Sequence, residues 1–255
     1  MTPAGRAVAA ALLLAAALPL YGAPHEINVF ADEMEERGEV GVEMHVNTAR
    51  GRSTPDYPGE IPPHRVWRIM PEIVLGLGNN WETGLHLPMQ FDRDGTLHAD
   101  GLRLRFKHLR PQKEGSAFFS GVNLEWGYDQ PHLSEDRHNA EVRGILGWKN
   151  ERWMVAVNPI LAWVVKGQNR SRRPDFEGSL KIARQVREGF AVGIEHYAGM
   201  GRVGDFAARR DQDHMLYLAV DVERERWTLN FGVGRGLSKA SDDLVVKAIF
   251  GFAFK

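Results

Sequence analysis

The sequence predicts an all-β protein: a single antiparallel transmembrane β-barrel of about twelve strands, preceded by a signal peptide. Three observations carry that expectation. Apolar residues recur at every second position through most of the chain, the period of a strand with two different faces. Connections alternate between short and long, as periplasmic turns and external loops do in outer-membrane barrels. The one long apolar run stands at the N-terminus, so a mature chain embedded in a membrane has to be a barrel.

That run, Ala7 to Leu20 behind Arg6, is too short for a secure spanning helix. It reads as a secretory signal peptide over residues 1–23, cleaved after Ala23, with Ala31 as the second choice. Residues 24–36, with the acidic piece Asp32 to Glu36, are expected as a periplasmic lead-in, and 37–255 as the barrel.

The strands follow in order. Val40, Val42, Met44 and Val46 alternate with Gly41, Glu43, His45 and Asn47. Ile69, Ile73, Leu75 and Leu77 alternate with Arg68, Met70, Glu72 and Gly76, and Trp81 to Met89 and Leu102 to Phe106 repeat the pattern. Further alternating stretches run from Phe118 to Trp126, Val142 to Trp148, Trp153 to Val165, Phe176 to Ile182, Phe190 to Ile194, Leu216 to Val220 and Trp227 to Val233. Each is roughly ten residues, the length of a tilted spanning strand. The closing strand, Leu244 to Phe254, ends in Phe250, Phe252 and Phe254. It is close to the aromatic signal read by the barrel assembly machinery, with Lys255 in the place where an aromatic usually ends the chain.

Tryptophans near strand ends (Trp67, Trp81, Trp126, Trp148, Trp153, Trp163, Trp227) fit interfacial girdles. Pro71, Pro88 and Pro159 fall inside expected strands. A closed barrel has no edge to hide a missing donor, so they should mark bulges or strand ends.

Net charge is -1 with 25% charged residues, which excludes bulk electrostatic binding of nucleic acid. The absence of Cys excludes disulfides and thiolate metal sites, and neither a cofactor nor a metal site is expected. Gly199-Met-Gly201-Arg-Val-Gly204 spells a dinucleotide-binding pattern but lacks the helix that would complete it. Asp92-Arg-Asp94-Gly95 begins like a calcium loop and stops there. Arg170, Arg172 and Arg173 could clamp lipopolysaccharide phosphates, or form an ordinary basic loop. His108 and Ser120 on the lipid-facing side would suit a lipid-acting hydrolase, but nothing fixes a third member.

The expected pore lining is charged in both signs: Glu72, Glu82, Glu125, Glu141, Glu177 and Glu195 against Arg68, Arg103, Arg105, Lys107, Arg143, Lys181 and Lys247. In a barrel this narrow such groups should pair, leaving a small, partly occluded pore. The run Arg103-Arg105-Lys107 along one strand should make part of the wall positive and favour organic anions.

Several stretches carry a resemblance: His25 to Phe30, Trp81-Glu-Thr-Gly-Leu85, Gly121 to Glu125, Asn158-Pro-Ile-Leu161, Gly232 to Gly236 and Asp242 to Gly251. Through them the chain resembles a family of uncharacterised proteobacterial outer-membrane barrel proteins. More loosely, it is similar to candidate transporters of aromatic-degradation operons. The resemblance implies a barrel and solute passage, and no catalytic residues. The expectation is therefore an outer-membrane channel or porin for small solutes, among them organic anions, in contact with outer-membrane lipid and lipopolysaccharide, and not an enzyme. The alternatives are a lipid-acting hydrolase and a closed structural barrel whose loops bind a partner.

Overall fold

The computed structural model describes residues 25–113 and 115–254. The expected signal peptide, residues 1–23, lies outside them, as does Lys255. The wall strands are β1 (Val40–Arg50), β2 (Trp67–Gly78), β3 (Trp81–His86), then β6 (Gly101–Leu109), β7 (Phe118–Asp129) and β8 (His138–Lys149). They continue with β9 (Trp153–Lys166), β10 (Asp175–Arg187), β11 (Phe190–Arg202), β13 (Asp213–Glu223), β14 (Trp227–Gly236) and β15 (Leu244–Phe254). Between them, β4 (Met89–Phe91) and β5 (Leu97–Ala99) extend the rim beside β2, and β12 (Asp205–Phe206) folds back on β11.

Neighbouring strands pair antiparallel, and β1 pairs with both β2 and β15, which closes the barrel at twelve wall strands. The seam runs from Val40 opposite Phe254 to Arg50 opposite Leu244. Closure leaves no wall strand with a free edge, as a backbone in lipid requires.

Alternation decides what each face meets. Phe250, Phe252 and Phe254 point outward at 39, 47 and 60% exposure, while Lys247 on the same strand points inward at 2%. Trp67, Ile73, Leu85, Phe106, Leu124 and Leu218 share the outer face. So continuous an apolar exterior needs hydrocarbon against it.

The turns obey local chemistry. Asn79 and Asn80 both have positive φ (52° and 63°), the backbone of a two-residue hairpin turn that Asn tolerates. Pro88 sits in the break between β3 and β4. Pro159 stays within β9, where the β8–β9 ladder passes from Arg143–Ile160 to Leu146–Val157 and skips the residues between. Gly144 leaves the room: a Cβ there would stand 3.0 Å from Pro159 Cγ.

Residues 25–36, expected as a lead-in below the barrel, take another course. They pass along the lumen, from the long-loop end at His25, beside Asp100, to the short-turn end at Asp32, beside Lys149. The chain then turns through Gly38, whose amide donates to the Gly76 carbonyl at 2.8 Å, and enters β1.

Candidate functional site: the filled lumen

Inward positions along a strand are two residues apart, so a strand with charges at that spacing delivers them all to the lumen. On β6 these are Arg103, Arg105 and Lys107. Ten of the residues expected to line the pore are at most 8% exposed: Glu72, Glu82, Arg103, Arg105, Lys107, Glu125, Glu141, Arg143, Lys181 and Lys247. Glu177 is half-buried and borders the cavity described below.

The charges pair across strands. Arg103 donates to Glu125 at 3.0 Å and to Asp129 at 3.0 Å. Arg105 joins Glu72 and lies 2.7 Å from Glu82, which Lys107 also meets at 2.9 Å. Arg143 holds Glu141 at 2.8 Å. Lys181 reaches Asp221 at 2.7 Å, and Lys247 reaches Glu195 across the barrel. The expected positive stripe on β6 is therefore neutralised by carboxylates on β2, β3 and β7. Buried at this depth, an unpaired guanidinium would cost several kcal/mol, which each of these pairs avoids.

Inside this charged wall runs the N-terminal segment. Val29, Phe30 and Ala31 pack against Leu109, Phe119, Ile145 and Ala156, an apolar patch within an otherwise polar lumen. The Phe30 ring faces three cations, with Arg143 at 4.5 Å from its centroid and Arg105 and Lys107 each at 5.5 Å. Its π-face is attractive to them. Wall side chains also take the segment's backbone. Lys247 donates to the Ile27 carbonyl at 2.7 Å, Lys107 to the Glu33 carbonyl at 2.8 Å, and Asn47 to the His25 carbonyl at 3.2 Å. Asn158 accepts from the Phe30 amide and donates to its carbonyl. An extended backbone buried away from water has to find such partners.

Beside the segment, toward the long loops, lies a cavity of about 150 Å³ lined by Asn28, Arg68, Glu177, Tyr197, Tyr217 and Asp242. Arg68 Nε is buried there without a hydrogen-bond partner. Arg143, whose Nη1 is likewise buried without a partner, lines the same cavity.

Other motifs resolve into ordinary structure. Gly199 to Arg202 belong to β11, and a turn at Gly204 (φ 83°) leads into β12. Asp92 Oδ1 accepts from the amides of Asp94 and Thr96, which makes its loop a capped turn. His108 stacks on Trp81 at 4.6 Å, with Nδ1 at 2.8 Å from the Asn80 carbonyl. Arg170, Arg172 and Arg173 sit exposed in the loop between β9 and β10.

No family model matches the sequence, and no curated protein matches it significantly. Solved structures do. An outer membrane channel from Pseudomonas putida F1 superposes with a TM-score of 0.60 at 13% identity, covering 90% of this chain and 100% of that one. The KdgM porin, solved in complex with disordered oligogalacturonate, gives 0.58 at 9% identity over 84% of this chain and 99% of its own. The NanC porin gives 0.56 at 9% identity over 85% and 99%. The chain shares the fold of these outer-membrane channels and porins.

Proposed function

We propose that this protein is an outer-membrane channel for small solutes whose resting lumen is closed by its own residues 25–36. The observation that carries the reading is the makeup of the barrel interior. A protein wall alone would be held by packed apolar residues, but this lumen is lined with charge and filled by a segment in no strand. Polar clamps of that kind exchange readily for water. The cavity at Arg68 marks where a solute arriving from the long-loop side would first be held. The Arg68 guanidinium, with no hydrogen bond at its Nε, suits a small organic anion there. Contacts with lipid and lipopolysaccharide belong to the same reading, supported by the apolar exterior and its tryptophans.

A planar-bilayer recording tests it. Wild-type protein should conduct weakly and intermittently. Phe30→Ala, which removes the ring that three cations face, should raise the open fraction at least tenfold, and Arg68→Gln should lower the preference for anions. If neither wild type nor Phe30→Ala conducts, the second reading moves ahead: a closed structural barrel, favoured by the cross-strand pairing of most of its interior charges.

A further inference from the structure

Ligand atoms of Glu26, His86 and Glu125 lie within 4.8 Å of one another in the lumen. All three side chains are out of solvent, at 2, 0 and 2% exposure. Glu26 Oε1, both His86 nitrogens (Nε2 and Nδ1) and Glu125 Oε2 are buried without a hydrogen-bond partner, the His86 Nδ1 and Glu125 Oε2 atoms facing each other. The last two are 3.7 Å apart. Buried polar atoms are normally satisfied, so four orphans in one place ask for an explanation.

The opposite side of each group already faces a charged partner. Arg143 approaches Glu26 Oε2 at 3.5 Å, and Arg103 donates to Glu125 Oε1 at 3.0 Å. Glu72 Oε2 stands 2.9 Å from His86 Nε2. A carboxylate behind one imidazole nitrogen, with the other nitrogen free, is how metal-binding histidines are oriented.

Charge points the same way. The ion-paired network around these residues contains seven carboxylates, four Arg or Lys cations and two histidines. The carboxylates outnumber the cations even with both imidazoles protonated. A divalent cation would settle the excess at its densest point.

We propose that Glu26, His86 and Glu125 form a site for a divalent first-row transition cation of the zinc type. One imidazole and two carboxylates suit such an ion. Bond lengths of about 2.0–2.2 Å require the side chains to close slightly, which rotation about their own torsions provides. His86 stands on β3 and Glu125 on β7, whereas Glu26 belongs to the lumen segment. The ion therefore ties the segment to the wall. This site stands whether or not the barrel conducts.

The test uses the refolded full chain and Zn²⁺ alone, with bound metal measured by elemental analysis after desalting. Wild type should retain one zinc per chain. Glu26→Gln and His86→Gln should each weaken binding at least tenfold. His196→Gln, which alters the separate His196–His214 stack (5.4 Å), should leave it unchanged. Glu26 lies in no strand, so its variant folds whatever becomes of His86→Gln, as heat-modifiable gel mobility would report. No retained zinc in wild type overturns the proposal. Equal zinc in Glu26→Gln, or a loss confined to His196→Gln, overturns it as well.

Discussion

Asn158 on β9 holds Phe30 by both of its backbone groups: the Phe30 amide donates to Oδ1 at 2.8 Å, and Nδ2 donates to the Phe30 carbonyl at 2.9 Å. Ser179 on β10 braces the same oxygen at 3.3 Å. Asn158→Leu would leave both backbone groups buried and unsatisfied, at about 1–3 kcal/mol each. The segment should then leave the lumen more often while the barrel persists. Amide hydrogen exchange should rise at least tenfold in residues 27–33 and stay unchanged in β9. Equal exchange in both variants would mean the clamp is idle.

Lys247 and Glu195 form an enclosed ion pair, each at 1% exposure. Tyr197 donates to Glu195 at 2.7 Å, and Lys181 stands 3.5 Å away. Glu195→Gln should therefore destabilise by about 3–5 kcal/mol, because it strands a buried ammonium. Lys247→Met together with Glu195→Gln should recover most of that loss. Urea unfolding midpoints would show it, and a double variant no better than Glu195→Gln would contradict the pairing account.

The loop after β1 has its own pH dependence. Glu60 accepts from Arg52 at 2.7 and 2.9 Å. Burial works to raise its carboxyl, but Arg52 and the Asp56 amide outweigh burial and hold it below its ordinary 4.5. A depressed carboxyl stabilises fully above its unfolded value and loses that contribution as pH falls through the folded one. The clamp should hold at pH 6 and loosen progressively below about 4.5. Hydrogen exchange of residues 52–62, corrected for intrinsic rates, should show the transition in wild type and lose it in Glu60→Gln.

Topology is open to labelling. Pro55, Ser134 and Asp205 lie in connections at the long-loop end, and Asn150 in a tight turn at the other. Cysteines at the first three positions should react with an impermeant maleimide on intact cells, and Asn150→Cys should not. Reaction at Asn150→Cys would invert the orientation.

The wall was legible in the sequence because period-two alternation survives any tertiary detail: Lys247 inward and Phe250 outward follow from spacing alone. The pairing of lumen charges was legible for the same reason, since burial demands it. The partners were not. Arg105 meets Glu72 on β2, two strands away in the wall, a distance set by side-chain length and barrel curvature rather than by sequence separation. The segment was missed because residues 25–36 lack a strand partner that pattern could reveal. One signal was present: Ile27, Val29 and Phe30 are apolar residues beside acidic ones, in a stretch too greasy for a solvated tail. Arg68, in turn, borders an empty space together with Arg143, and no sequence displays a cavity.

The turn at Gly38 joins the lumen segment covalently to the wall, and Gly76 fastens it there through the Glu39 carbonyl at 3.0 Å. The segment is thus an intramolecular ligand, with an effective concentration on the order of millimolar for so short a tether. On the proposed reading, a solute moving past the cavity would compete against that concentration and not against bulk water. Its apparent affinity falls by the fraction of barrels that stand open. Shortening or stiffening the tether would change solute affinity with no contact to the solute altered.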